Sequence, residues 1–128
     1  MKRIVISLSI FFLIMLVFII PFSVFLLRGM NDVLSEEITS IDITSLEDGV
    51  YLGSYTKYRW QNTIEVTILD GQITKITIID DMRMPNEQVQ TILFERIIAD
   101  NSIDVDVVAS ATVSSKAYLK AIEDALKD

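Results

Sequence analysis

The chain has 128 residues, 51% of them hydrophobic, which allows one domain and one appendage. Its 18 acidic residues outnumber its 11 basic ones, and three of the basic residues, Lys2, Arg3 and Arg28, flank an apolar segment. The rest of the chain is therefore strongly acidic, and we do not expect it to bind nucleic acid or anionic lipid. Because cysteine and histidine are absent, disulfides, thiolate chemistry, histidine triads and most zinc, haem and iron–sulfur sites are excluded, and redox work would need an organic cofactor.

The first predicted element is a membrane-spanning helix. Ile4 to Leu27 is 24 residues long without a charge. At about 1.5 Å rise per residue such a helix reaches about 36 Å, which exceeds a hydrocarbon core of about 30 Å. A cleaved signal peptide is the alternative, but its apolar region is typically about 7–15 residues and ends at small residues, unlike Leu26-Leu27-Arg28. We therefore expect an uncleaved anchor over residues 1–30.

The flanks of this span predict its orientation. Lys2 and Arg3 precede it, whereas Arg28 is soon followed by acidic residues. The positive-inside rule then puts the N-terminus in the cytoplasm and the C-terminal domain outside, on a single-pass protein of the cell membrane. Residues 31–46 are polar and acidic, and we interpret them as a stalk that leads to a domain at residues 47–128.

From Val50 onward apolar residues alternate with polar ones, which predicts β-structure. We expect strands over Val50–Tyr58, Thr63–Leu69 and Ile73–Ile79, with a turn at Arg59–Asn62. One end of this sheet gathers aromatic residues that suit packing and could also stack on an aromatic cofactor. They are Tyr51, Tyr55, Tyr58 and Trp60.

Two registers are open to the hairpin formed by the second and third strands. A two-residue Asp70-Gly71 loop would put Lys75 opposite Val66, on the apolar face. A three-residue loop that adds Leu69, with glycine in the left-handed region, pairs Lys75 with Glu65 and keeps isoleucines of the two strands opposite one another. We therefore predict the three-residue loop.

Two helices follow the sheet. Residues 86–99 have apolar side chains at helical spacing, and Asp100-Asn101-Ser102 is expected to end that helix. The final helix is predicted over Ser114–Leu126, with Ser114 as its N-cap. The expected buried residues of the two helices are Val89, Ile92, Leu93, Ile97, Ala117, Ala121, Ile122, Ala125 and Leu126. The predicted fold class is α+β, a small antiparallel sheet with two packed helices, preceded by one N-terminal transmembrane helix.

A turn rich in serine and threonine opens the final helix. The first N–H groups of a helix lack intrahelical partners and lie at the positive end of its dipole, so a phosphate docked there gains several hydrogen bonds. Thr112, Ser114 and Ser115 add hydroxyls to this position. The alternative for the turn by itself is a capped surface helix. Upstream, we interpret Asp104 and Asp106 as solvated carboxylates and expect no metal site.

The stretch from Asp106 to Thr112 resembles the flavin-attachment motif of FMN-binding domains. These domains occur in the C and G subunits of the sodium-pumping and Rnf-type redox complexes and in small membrane-anchored bacterial proteins. Their motif reads Asp, two variable residues, Ser or Thr, Gly, Ala, Thr, and the final Thr carries FMN as a phosphoester. Here Ala109 replaces the Ser or Thr and Ser110 replaces the Gly. Asp48–Ser54 and Ile64–Ile73 resemble the family's opening strand and central hairpin.

The resemblance implies an FMN-carrying electron-transfer module rather than a stand-alone enzyme, with Thr112 as the acceptor. Its implied partners are the membrane, a flavin transferase, and redox partner proteins or quinone-linked donors. The implied cofactor-binding residues are Asp106, Val108, Ala109, Ser110, Ala111, Thr112, Ser114 and Ser115. The alternative is a redox-silent binding or assembly module of the same fold, which has lost the cofactor through its substitutions at positions 109 and 110.

Overall fold

The computed structural model describes residues 1–127 and divides the chain into two compact units, Met1–Met30 and a second that begins at Asn31. The first unit contains helix α1, Lys2–Leu27, which has Pro21 in its interior and no buried side chain. Within the described residues, the helical stretch Lys2–Ser35 is the one candidate that is long and apolar enough to cross a membrane. The predicted anchor is therefore a helix with the length and composition of a membrane span.

The second unit has the predicted α+β architecture. Its sheet is antiparallel, with the strand order β1-β2-β3. Helix α4 packs on β1 and β2, and α3 packs on β3. The elements are α2 (Met30–Ser35), β1 (Gly49–Tyr55), β2 (Asn62–Leu69), β3 (Gln72–Asp80), α3 (Glu87–Asp100) and α4 (Thr112–Leu126), with short 3₁₀ turns at Ile43–Ser45, Tyr58–Trp60 and Ala109–Ala111.

The core lies between the sheet and these two helices. Every second residue of β2 is buried, as strand geometry requires when one face of a sheet is covered. All the residues expected to be buried in α4 are buried, and so are three of the four in α3, while Ile92 is partly buried. Strand β1 approaches α4 so closely that a Cβ on Gly53 would overlap the backbone of Ala121 and Ala125.

The predicted three-residue hairpin loop is wrong. The loop is Asp70-Gly71, whose φ angles of 52° and 70° are the positive values that a type I′ turn needs. A bulge at Thr74 then shifts β3 by one residue, so that Ile76 lies opposite Val66 and Lys75 leaves the apolar face. The bulge therefore allows a two-residue loop without placing Lys75 opposite Val66. The observed pairs are Ile64–Ile78, Glu65–Thr77, Val66–Ile76 and Thr67–Lys75.

Residues 31–46, which we expected to form a stalk, belong to the second unit. Val33 and Ile43 are buried in its hydrophobic core. The Lys116 ammonium of α4 donates hydrogen bonds to the carbonyl oxygens of Leu34, at 2.7 Å, and Glu36, at 2.9 Å. Although this segment is acidic overall, its few spaced apolar residues are sufficient to pack it against the core.

Candidate functional site

The Ser/Thr-rich turn enters α4 earlier than the sequence predicts. The backbone of Thr112 is already helical (φ −57°, ψ −43°), so the prediction of Ser114 as N-cap is wrong. Its neighbour Ser115 is buried, and the Ser115 hydroxyl accepts the Val108 N–H at 3.1 Å. This bond ties the incoming chain to the helix, and the 3₁₀ turn Ala109–Ala111 fills the space between them.

The first turn of α4 is not capped. Ala111 occupies the N-cap position and has no side chain that can accept a hydrogen bond. The N–H groups of Thr112, Val113 and Ser114 therefore lie at the positive end of the helix dipole without a side-chain cap among the described residues. Two half-buried hydroxyls, those of Thr112 and Ser114, belong to the same turn. Such an arrangement of donors suits a phosphate group.

This turn borders an open groove of about 410 Å³. Small-molecule sites commonly occupy about 300–1,000 Å³, so the groove is large enough for a cofactor. Asn86, which caps α3 by accepting the N–H groups of Gln88 and Val89, lies on the other side, so the starts of two helices border the groove. The lining residues are Arg59, Trp60, Met84, Pro85, Asn86, Ser110, Ala111, Thr112, Val113 and Ser114.

The eight residues expected at the site fall into two groups. Four of them line the groove: Ser110, Ala111, Thr112 and Ser114. The other four lie outside it. Asp106 and Ala109 are exposed, whereas Val108 and Ser115 are buried and hold the turn in place.

Ser110, at the glycine position of the motif, does not strain the backbone. Among residues 1–127, the non-glycine residues with positive φ are Tyr58, Asp70 and Asn101. Because Ser110 is not in the left-handed region, a side chain is tolerated there without conformational cost. The departure from the motif at this position therefore leaves the turn intact.

Of the four aromatic residues expected near a cofactor, Trp60 lines the groove and the tyrosines do not. The Tyr55 hydroxyl donates to a carboxylate oxygen of Glu36 at 3.4 Å, and burial together with the Glu36 charge raises the pKa of Tyr55 to about 12. Trp60 is only 7% exposed, and the Arg59 guanidinium lies 4.0 Å from its ring centroid. The indole therefore offers little free surface for stacking.

Sequence reasoning missed the opposite wall of the groove, which consists of Arg59 and Met84–Asn86. Asn86 does carry a recognisable signal, because a capping residue followed by an acidic residue, here Glu87, is typical of a helix start. No comparable signal marks Arg59, since its relevance depends on where the turn after β1 places it.

A partly buried hydrogen-bond network lies beside that wall. The Tyr118 hydroxyl donates to Asp81 Oδ1 at 2.7 Å, and Gln90 Nε2 donates to Asp81 Oδ2 at 2.7 Å and to the Tyr118 oxygen at 2.8 Å. Burial, together with the bond to Asp81, raises the pKa of Tyr118 well above its ordinary value, so the hydroxyl stays a donor at neutral pH. The network fixes the segment after β3 against α3 and α4.

Comparison with known proteins decides the family. A family model described as FMN-binding domain matches residues 28–127, which is most of the chain. The chain belongs to the FMN-binding domain family. FMN is accordingly its cofactor, as the motif at residues 106–112 led us to expect.

An uncharacterized protein of Treponema pallidum (strain Nichols) is 33% identical to this FMN-binding domain protein over 85 residues. The alignment covers 64% of this chain and 23% of the relative. The chain therefore spans about a quarter of the length of that protein, and the similarity concerns one part of a longer polypeptide.

The groove fits FMN in its chemistry as well as in its size. FMN is anionic at its phosphate, and the groove offers the uncapped first turn of α4, the hydroxyls of Thr112 and Ser114, and the Arg59 guanidinium. None of the described residues that line the groove carries a carboxylate, although the chain as a whole has a net charge of −7. Thr112, Ser114 and Arg59 are the lining residues whose side-chain donors suit a phosphate group.

Proposed function

We propose that this chain is a membrane-anchored electron carrier with FMN attached through a phosphoester to Thr112. The observation that supports this most is the position of Thr112, a half-buried residue that lines the groove and begins a helix without a side-chain cap among residues 1–127. Bound FMN supplies reversible electron uptake, which the side chains of this chain do not provide readily. The protein's own part is to hold and orient the flavin.

The surroundings of Thr112 suit attachment by a second enzyme. The preceding residues, Ala109–Ala111, are small, so a flavin transferase and a phosphate can approach the backbone closely. The Asp106 side chain is exposed. Arg96 Nη1 donates a hydrogen bond to the backbone carbonyl oxygen of Asp106 at 2.7 Å, which fixes the backbone at this residue. We assign Asp106 to recognition by the transferase rather than to direct contact with FMN.

Electron transfer and location form the second part of the proposal. Lys2 and Arg3 before the apolar helix favour a cytoplasmic N-terminus and an extracytoplasmic flavin domain. The domain would then relay electrons between quinone-linked donors of the membrane and acceptors or redox proteins outside. Protease added to intact spheroplasts should digest the domain, and full protection would exclude this orientation.

Attachment is tested by producing the full-length protein together with a flavin transferase. We expect the purified protein to be yellow and to keep its colour after denaturation and precipitation. Thr112→Ala should abolish the retained colour, and Thr112→Ser should preserve part of it because a hydroxyl remains. Ser114→Ala is the matched comparison, since it removes the other half-buried hydroxyl of the same turn but leaves the acceptor hydroxyl of Thr112, so it should stay yellow after denaturation.

Two other results would revise this function. Protein that binds free FMN but loses it on denaturation would have a non-covalent site at the start of α4. Protein that neither binds nor retains FMN would fit the redox-silent binding or assembly module, which the substitutions Ala109 and Ser110 favour. In that case the double change Ala109→Ser with Ser110→Gly, which restores the motif, distinguishes a damaged attachment sequence from a site without any flavin function.

A further inference from the structure

Arg59 is a half-buried arginine in an acidic domain, and it lines a second cavity together with Asp80 and Asp81. Within residues 1–127 it forms no ion pair, and its one side-chain hydrogen bond runs from Nη1 to the weak acceptor Met84 Sδ at 3.4 Å. Its Nε is shielded from solvent and has no acceptor. A guanidinium is always protonated and has five N–H donors, so most of its hydrogen-bonding capacity is unused.

The protein nevertheless holds this side chain in place. The guanidinium lies 4.0 Å from the ring centroid of Trp60, which is itself buried. The backbone around it is fixed by hydrogen bonds from the Arg83 N–H to the Arg59 carbonyl, at 3.2 Å, and from the Trp60 N–H to the Lys57 carbonyl, at 2.9 Å. A partly desolvated, immobilised charge that has no ion-pair partner is unfavourable, and a bound anion would stabilise it.

Arg59 lines the same groove as Thr112. We propose that the Arg59 guanidinium binds the phosphate of the flavin held in this groove. The inference rests on the proposed function, because it takes the flavin to be anchored at the start of α4. The planar fork of a guanidinium matches two phosphate oxygens, and its stacking on Trp60 reduces the entropy lost on binding.

The phosphate is a better partner for Arg59 than the flavin ring. The phosphate is charged whether the flavin is oxidised or reduced, whereas the oxidised ring carries no net charge. A shielded guanidinium that lacks an acceptor needs an anion that is always present. The phosphate meets this requirement, and the ring does not.

The test compares FMN with riboflavin, which has the same ring but no phosphate. Full-length protein in detergent, produced without flavin transferase, is titrated with each flavin, and binding is followed by flavin fluorescence. We expect Arg59→Met to weaken FMN binding at least tenfold and to change riboflavin binding less than twofold. Arg59→Lys should fall between, because an ammonium keeps the charge but loses the fork.

Lys75→Gln is the matched control, because it removes one positive charge from an exposed position on β3. It should leave both affinities unchanged. Equal weakening of FMN and riboflavin by Arg59→Met would show that Arg59 only shapes the groove, and unchanged FMN binding would show that it does not contact the phosphate. Either result overturns the inference. If Arg59→Met does not fold, the test uses Arg59→Lys instead. We expect that variant to bind FMN at least threefold more weakly than wild type and riboflavin equally well.

Covalently loaded protein provides a second readout for the case in which free FMN does not bind. The ³¹P resonance of the attached phosphate should shift in Arg59→Met and Arg59→Lys but not in Lys75→Gln. An identical resonance in all four proteins would overturn the inference while leaving attachment at Thr112 intact. Wild-type protein that neither binds nor carries FMN would instead refute the proposed function itself.

Discussion

The two ends of helix α4 are built differently. Near its C-terminal end, the backbone of Ala121 and Ala125 contacts Gly53 of β1. The Glu123 carboxylate is buried there, and its oxygen Oε2 accepts hydrogen bonds from the Lys120 ammonium at 2.9 Å and the Thr39 N–H at 3.2 Å. At the N-terminal end, Thr112 and its neighbours are half-exposed and no side chain caps them.

This difference separates stability from ligand binding along one helix. The C-terminal half packs on the sheet and has its buried charge paired, so substitutions there should mainly change the free energy of unfolding. Within residues 1–127 no side chain caps the N-terminal turn, which costs little because that turn is half-exposed, and this leaves the end of the helix open to a ligand. Substitutions there should change cofactor attachment more than stability.

The largest effect on stability is expected at the contact between β1 and α4. Gly53→Val should lower the free energy of unfolding by more than about 3 kcal/mol, because the new side chain would overlap helix backbone that cannot move aside cheaply. Gly49→Val is the matched control, since a Cβ at Gly49 would meet only Tyr51 Cε2, at an ordinary 3.7 Å. Thermal unfolding followed by circular dichroism measures both, and equal stability of the two variants would contradict close packing at Gly53.

Glu123→Gln should cost about 2 kcal/mol at pH 7, because it removes the charge that Lys120 and Lys127 pair with, at 2.9 Å and 3.6 Å. Burial acts to raise the pKa of Glu123, but the hydrogen bond from Lys120, with the Thr39 N–H and the Lys127 charge, outweighs burial and lowers it. The contribution to stability is therefore complete above the pKa of an unfolded glutamate, about 4.3, and is lost as the pH falls through the lower folded value.

The measurement for Glu123 is the difference in unfolding free energy between wild type and Glu123→Gln as a function of pH. We expect this difference to be constant above about pH 5.5 and to shrink below about pH 4. The exposed Glu95→Gln is the control and should show almost no difference at any pH. A difference that stays constant down to pH 3 would mean that the carboxylate charge is not what stabilises this end of α4.

A smaller loss is expected where the incoming turn meets the helix. Ser115→Ala removes the acceptor of the Val108 N–H, and a buried donor left unpaired costs about 1–2 kcal/mol. Ser114→Ala, one residue away and half-exposed, should cost less than about 0.5 kcal/mol. Chemical or thermal unfolding of the two variants gives the comparison. If Ser114→Ala were the more damaging change, the Ser115 hydroxyl would not be what fixes the turn.

The smallest effect on stability, and the largest on function, is expected at Thr112. Thr112→Ala should change the free energy of unfolding by less than about 0.5 kcal/mol, because Thr112 is only half-buried and alanine is the better helix former. The same change should remove attached FMN. If Thr112→Ala lowered the free energy of unfolding by several kcal/mol, Thr112 would be a structural residue, and the two ends of α4 would not differ as described.

How far the sequence predicted the structure differs between these regions. The fold class, the buried face of α4 and the end of α3 at Asn101 follow from periodicity and capping residues, because packing on one face imposes those patterns. The hairpin register could not be predicted, because the bulge at Thr74 changes the pairing without leaving a mark in the alternation of β3. The start of α4 was misplaced because the Ser115 hydroxyl bonds to Val108, a contact that local capping rules do not describe.

Only part of the candidate groove could be predicted from the sequence. A local motif identified Ser110–Ser114, which are consecutive along the chain and therefore visible in the sequence. Arg59, Trp60 and Met84–Asn86 lie far from them along the chain and meet them only through the packing of the sheet against α3 and α4. An alternating strand pattern does not show which turn residues come together at the end of a sheet.

The most direct test of the central claim is the location of the adduct on the protein co-produced with a flavin transferase. Trypsin should release residues 97–116, between Arg96 and Lys116, as one peptide that contains Thr112 as well as Ser102, Ser110, Ser114 and Ser115. Fragmentation of this peptide by mass spectrometry is expected to place a mass increase of FMN minus water on Thr112. An adduct on one of the serines, or an unmodified peptide from protein that stays yellow after denaturation, would contradict attachment at the first residue of α4.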